Sequence, residues 1–85
     1  MVVVKLPSLL ADQAGGQREF EVDAATVGEA LRALPISDFL IDERGELRPL
    51  VNVYVDGEDA RRADGLETSL VSASELRVIA AVAGG

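Results

Sequence analysis

The run Leu50-Val51-Asn52-Val53-Tyr54-Val55-Asp56-Gly57 decides how this chain is read. Apolar and polar positions alternate, and successive side chains of a strand point to opposite faces of a sheet. Val51, Val53 and Val55 therefore share an inward face, and Asn52 and Tyr54 point outward. Asp56-Gly57 supplies turn residues that close the strand. Downstream, Asp59 to Ser74 is polar, with Leu66 and Leu70 as anchors and room for a short edge strand. Glu75-Leu76-Arg77-Val78-Ile79 then alternates again, which turns Leu76 and Val78 inward and Arg77 and Ile79 outward.

Upstream of the decisive strand lies a helical pattern. Thr26-Val27-Gly28-Glu29 has capping-box spacing, with the Thr26 hydroxyl capping the first turn and Glu29 reaching back. Val27, Ala30, Leu31 and Leu34 follow at i, i+3, i+4 and i+7, one apolar face that must lie on a sheet. Pro35 stops the helix. Ile36 to Ile41 is denser in apolar residues and fits a short second helix capped by Ser37, after which Asp42 to Glu46 forms a loop centred on Gly45. At the start of the chain, Val2 to Leu6 reads as a β-branched strand ended by Pro7. With Lys5 in water, Val2, Val4 and Leu6 face inward. Leu9 and Leu10 are expected in a connecting loop packed on the core, Gly15-Gly16 in a turn, and Arg18 to Val22 in a second strand with Phe20 and Val22 inward. These two strands make an N-terminal hairpin.

Hairpin, helix, strand, long irregular connection and strand are too few βα units for a doubly wound sheet. The order fits an α+β, β-grasp architecture: a mixed sheet with one main helix packed across one face and the last strand beside the first. Residues 1–79 form the domain, and 80–85 are expected to be a flexible Gly-Gly tail.

Composition narrows the function. At 85 residues, such a domain buries only about 60–65% of its unfolded surface, enough for one modest core. Cysteine and histidine are both absent, which removes disulfides, thiolate nucleophiles, most zinc sites and the usual neutral-pH general base. An independent enzyme is not expected, nor is a metal site or any intrinsic cofactor. A net charge of −7, from 15 acidic and 8 basic residues, argues against nucleic acid, whose phosphates need a basic face. It favours steering towards basic partner surfaces. No apolar run approaches the roughly 20 residues of a membrane span, and the first residues do not have the pattern of a signal peptide. The expected location is the cytoplasm.

Two features remain for chemistry. In Ala80-Ala81-Val82-Ala83-Gly84-Gly85 no side chain can act as acid, base, nucleophile or ligand. What the segment offers is the α-carboxylate of Gly85 on an arm narrow enough to thread a channel, since glycine has no Cβ. Either that carboxylate is used chemically by other proteins, with Val82, Ala83 and Gly84 threading into them, or the segment is a frayed end. The second feature is the outward set Tyr54, Arg77 and Ile79. An aromatic–aliphatic cluster rimmed by charge suits a partner-binding patch, although scattered exposed apolar residues are ordinary on any surface.

A β-grasp order ending in Gly-Gly resembles the ubiquitin-like sulfur carriers of the MoaD/ThiS family, over essentially the whole chain. The CysO type is most similar. Its marks are the Leu-rich segment followed by Gly15-Gly16-Gln17, the run Val51 to Asp59 with Arg61 after it, and the ending Ala81-Val82-Ala83-Gly84-Gly85. Asp42 to Pro49 shares no such pattern. The resemblance implies that Gly85 is adenylated with ATP by a ubiquitin-activating-type (MoeB/ThiF-like) adenylyltransferase and converted to a thiocarboxylate. It further implies sulfur delivery to a PLP-dependent cysteine synthase and release of the product by a metal-dependent peptidase. ATP, PLP and metal belong to those partners. Three alternatives stand beside it. They are delivery to another acceptor, such as a thiosugar synthase or the molybdopterin or thiamine pathways, a ubiquitin-like protein modifier, and an interaction module with an inert terminus.

Overall fold

The computed structural model describes residues 1–71 and 74–80. Among them are β1 (Val2–Lys5), α1 (Ser8–Gln13), β2 (Glu19–Val22), α2 (Val27–Arg32), α3 (Ser37–Leu40), β3 (Val51–Val55), β4 (Glu58–Asp59) and β5 (Glu75–Ala80). The strands form one mixed sheet in the order β2-β1-β5-β3-β4. β1 and β5 run parallel at its centre, with Val4 opposite Leu76, and every other pairing is antiparallel.

Alternation sorts the sheet into two faces. Val2, Val4, Val51, Val53, Leu76 and Val78 are buried on one of them. Against it pack Val27, Ala30, Leu31 and Leu34 of the α2 segment, together with Ile36 and Leu40, in a single core. α2 starts where the capping pattern places it: the Thr26 hydroxyl accepts from the Glu29 amide at 3.2 Å. The Glu29 carboxylate reaches back to the Ala25 amide at 3.4 Å, one residue beyond the cap itself. Ser37 does not cap α3, because Ile36 occupies that position without a side-chain hydrogen bond. Gly28 lets α2 press close to the segment below it. A Cβ at this position would stand 3.1 Å from the Leu66 carbonyl oxygen, tighter than ordinary van der Waals contact.

The first connection departs from the expected loop. Residues 8–13 form α1, preceded at the N-cap by Pro7, whose backbone is extended and which offers no side-chain oxygen to cap. Leu10 and Ala11 are buried by this turn, and Leu9 is left 52% exposed, so the leucine pair splits instead of packing together. β1 and β2 are therefore antiparallel neighbours joined through a helix, and not a tight hairpin.

An edge strand forms, but earlier than expected: β4 is Glu58–Asp59, at the very start of the segment expected to hold it, and is reached directly through Asp56-Gly57. Both residues have positive φ, 49° and 89°, and Val55 pairs with Glu58 across them. A two-residue loop of this handedness matches the twist of the flanking strands. Asp56 also secures the start of β5. Its amide donates to the Glu75 carbonyl at 2.9 Å, and its carboxylate accepts from the Glu75 amide at 2.9 Å. The segment after β4 makes two 3₁₀ turns, Ala60–Arg62 and Gly65–Glu67. Leu66 and Leu70 rest against the core as expected. β5 continues to Ala80, opposite Val51, one residue past the boundary expected at Ile79.

Candidate functional site

The outer face of the sheet assembles side chains from all five strands. In register across it stand Glu19, Lys5, Arg77, Tyr54 and Asp59. Two residues along the strands, on the same face, Ile79 lies opposite Asn52. Arg77 and Ile79 are exposed and Tyr54 is partly covered. Tyr54, Arg77 and Ile79 line one shallow depression together with Asp56, Gly57 and Glu75. Tyr54 also forms the wall of a second depression, with Glu58, Asp59 and Arg62. The three outward residues singled out in the sequence are thus brought together, with the tyrosine as a ridge between two hollows that each contain an arginine.

Sequence alternation did not disclose the ion chain beneath them. Glu75 sits 3.6 Å from Arg77 and 3.5 Å from Lys5, and Lys5 sits 3.8 Å from Glu19. Glu75 and Arg77 are two apart on β5, and only the register of the sheet brings Lys5 of β1 and Glu19 of β2 beside them. Partly exposed pairs of this kind contribute about 0–1 kcal/mol each. Their effect is to fix the charge pattern of the face.

Arg61, which follows the decisive strand, has a structural role. Its amide donates to the Asp59 carboxylate at 2.9 Å, and its guanidinium donates to the Arg48 carbonyl at 2.9 Å. Arg48 in turn donates through Nε to the Asp38 carbonyl. This relay ties the approach to β3 to both α3 and the segment after β4. In the neighbouring loop one Asp42 carboxylate oxygen accepts from the Arg44 and Glu46 amides, at 2.9 and 3.0 Å. The Glu46 amide above all holds the Asp42 carboxyl below its ordinary value.

Val82, Ala83, Gly84 and Gly85, the expected tail residues, lie outside the described residues. The strand leading to them ends at the sheet centre, beside the start of β3, so the exposed side chain of Ile79 stands three positions before Val82, the first of them. Among the described residues, no group of His, Cys, Asp or Glu is placed to hold a metal ion. No described helix is long and apolar enough to cross a membrane.

A five-stranded mixed sheet with parallel first and last strands at its centre, backed by a capped helix on one face, defines a ubiquitin-like β-grasp protein. Comparison with known proteins narrows this. The ThiS family model matches residues 4–85, and the chain belongs to that family. It is 34% identical over 91 residues to the sulfur carrier protein CysO of Mycobacterium tuberculosis, an alignment covering 99% of this chain and 98% of that one. Its fold superposes on a chain of the Amycolatopsis orientalis BexX/CysO complex with a TM-score of 0.88, at 36% identity and full coverage of both chains. It is also 38% identical over 68 residues to small archaeal modifier protein 3 of Haloferax volcanii, covering 74% of this chain and 73% of that protein.

Proposed function

We propose that this protein is a sulfur carrier and that the reactive group is the C-terminal carboxylate of Gly85. The observation that carries the reading is similarity along the full length to a CysO sulfur carrier, in a chain whose own composition lacks the cysteine and histidine of ordinary catalysis. In this reading the protein is a co-substrate, and catalysis belongs to its partners. A ubiquitin-activating-type adenylyltransferase joins the Gly85 carboxylate to the AMP portion of ATP, releasing pyrophosphate. A sulfur donor displaces AMP and leaves a thiocarboxylate. The sulfur then passes to an acceptor enzyme, a PLP-dependent cysteine synthase in the preferred case, with a metal-dependent peptidase freeing the product.

The Tyr54–Arg77–Ile79 face docks the activating enzyme while Val82 to Gly84 thread into its channel. Holding the terminus in a pocket replaces a bimolecular encounter by an effectively unimolecular one, and docking offsets the roughly 1–2 kcal/mol per residue needed to order the threaded backbone. Intact mass after incubation with such an enzyme, ATP and sulfide tests the proposal. Exchange of one oxygen for sulfur, mapped to Gly85, is expected. No exchange, with the enzyme active on another carrier, overturns it.

A second reading has its own support in the similarity to a small archaeal modifier protein. A modifier would use the same acyl-adenylate but transfer Gly85 to lysine amines of other proteins. Isopeptides to Gly85 in cell extracts, without a thiocarboxylate form, would favour it.

A further inference from the structure

β2 is an outer strand of the sheet. It pairs with β1 on one side, and among the described residues no strand pairs with its other side. Which of its backbone groups face that open side follows from the ladder, because opposed residues of an antiparallel pair alternate between exchanging hydrogen bonds and not exchanging them. The Leu6 amide donates to the Arg18 carbonyl at 2.8 Å, whereas the Val3 amide is turned away from β2, to the Ser74 carbonyl. Val4–Phe20 and Val2–Val22 are therefore bonded pairs, and Lys5–Glu19 and Val3–Glu21 are not. The amides and carbonyls of Glu19 and Glu21 consequently point to the open side. Gln17 shows that an incoming donor fits there, since its Nε2 donates to the Glu19 carbonyl at 2.8 Å. Glu19 and Glu21 expose their side chains on the outer face, and Phe20 between them is partly buried against the core on the inner one. Glu19 lies 3.8 Å from Lys5, and Glu21 has no ion pair among the described residues.

We propose that this edge is a docking site for an extended segment of another protein with basic, apolar and basic side chains in succession, bound as an added antiparallel strand. The two basic residues stand opposite Glu19 and Glu21 and exchange backbone hydrogen bonds with them. The apolar residue stands opposite Phe20. Opposite charges facing each other across strands are favourable, and like charges are unfavourable. The same rule excludes a second copy of this chain as the occupant. Antiparallel pairing of β2 with itself about Phe20 sets Glu19 against Glu21. A shift of two residues in one direction sets Glu21 against Glu21, and in the other Glu19 against Glu19. The acids thus close the edge to self-association, the usual hazard of a bare strand, and leave it open to a basic partner. β1 and β5 separate β2 from β3, the strand of Tyr54, a distance of about 14 Å at ordinary strand spacing. The edge is therefore a different surface from the one around Tyr54, and the proposal does not rest on the chemistry of Gly85.

The probe is a synthetic peptide of alternating arginine and valine, added to the whole protein while amide hydrogen exchange is followed by NMR. At saturation the Glu19 and Glu21 amides should exchange about tenfold more slowly. The Phe20 and Val22 amides, already bonded to β1, should not change. Glu19→Gln/Glu21→Gln keeps every backbone group and should weaken binding about fivefold, through loss of two opposite-charge pairs. Glu21→Pro removes an outward amide and no bond to β1, as an edge strand tolerates, and should remove the protection at Glu19 as well. If that variant does not fold, the double glutamine variant decides. A peptide of alternating glutamate and valine should not bind. The proposal is overturned if the basic peptide does not bind, or if it binds without protecting Glu19 and Glu21, which is diffuse attraction to an acidic surface. Equal affinity for the double glutamine variant overturns it too, as does sedimentation showing the free protein to be a dimer whose Glu19 and Glu21 amides are already protected.

Discussion

β5 carries two kinds of residue in strict alternation, and the two faces of this one strand do different work. Leu76 and Val78 are buried against α2 and the core, while Arg77 and Ile79 stand in the open beside Tyr54. The inner side chains are held by packing from several elements at once, so their identity is constrained by volume. The outer ones are held by register alone, so their identity is free to serve recognition. A period of two residues lets the same backbone hydrogen bonds position both sets.

The largest test of this division is Leu76→Ala. It should cost about 2–5 kcal/mol of stability, as truncations in a close-packed core do, measured by denaturant unfolding, while any molecules that remain folded still bind the activating enzyme. Ile79→Asp and Tyr54→Ala should do the reverse. Each is expected to weaken binding about tenfold, the effect of losing an anchor in an interface, with unfolding midpoints close to wild type. Unchanged affinity by calorimetry would retire the outer face as a docking surface. Thr26→Ala sharpens the inner half of the comparison, because it removes the cap of the helix without touching the core. A loss of about 1 kcal/mol is expected, and Thr26→Ser should recover most of it.

The smallest effect belongs to a loop on neither face. Asp42 titrates below its ordinary 3.8 in the folded chain, so its stabilising contribution is complete above that value and fades as pH falls through the lower, folded one. Asp42→Asn should therefore lower the melting temperature slightly at neutral pH, and the difference should vanish in strong acid. A difference that persisted there would assign the effect to packing and not to charge.

Alternation in Leu50–Val55 and Glu75–Ile79, together with the Thr26–Glu29 spacing, made the sheet faces and the main helix legible, and with them the Tyr54, Arg77 and Ile79 cluster. These signals are local and repeat within a few residues. α1 was not legible, since six residues are too few to show a helical period and Pro7 gives no capping signature. The Asp-Gly pair was read only as the end of a strand, although two left-handed residues in succession specify the return into β4. The links from Lys5 to Glu75 and Glu19 were out of reach for a different reason. They depend on which strands become neighbours and in what register, and no stretch of sequence by itself contains that information.

The central pairing of β1 with β5 also governs when this molecule comes into being. Val4 and Leu76, which face each other there, are separated by nearly the whole chain, and closing such distant contacts places folding among the slower, high-contact-order cases. During synthesis the middle of the sheet stays open until β5 has emerged. The surface around Tyr54 and Arg77 is built from β3 and β5 together, so it does not exist on a nascent chain that still lacks β5. A partner that recognised this surface would thereby select chains whose sheet has closed.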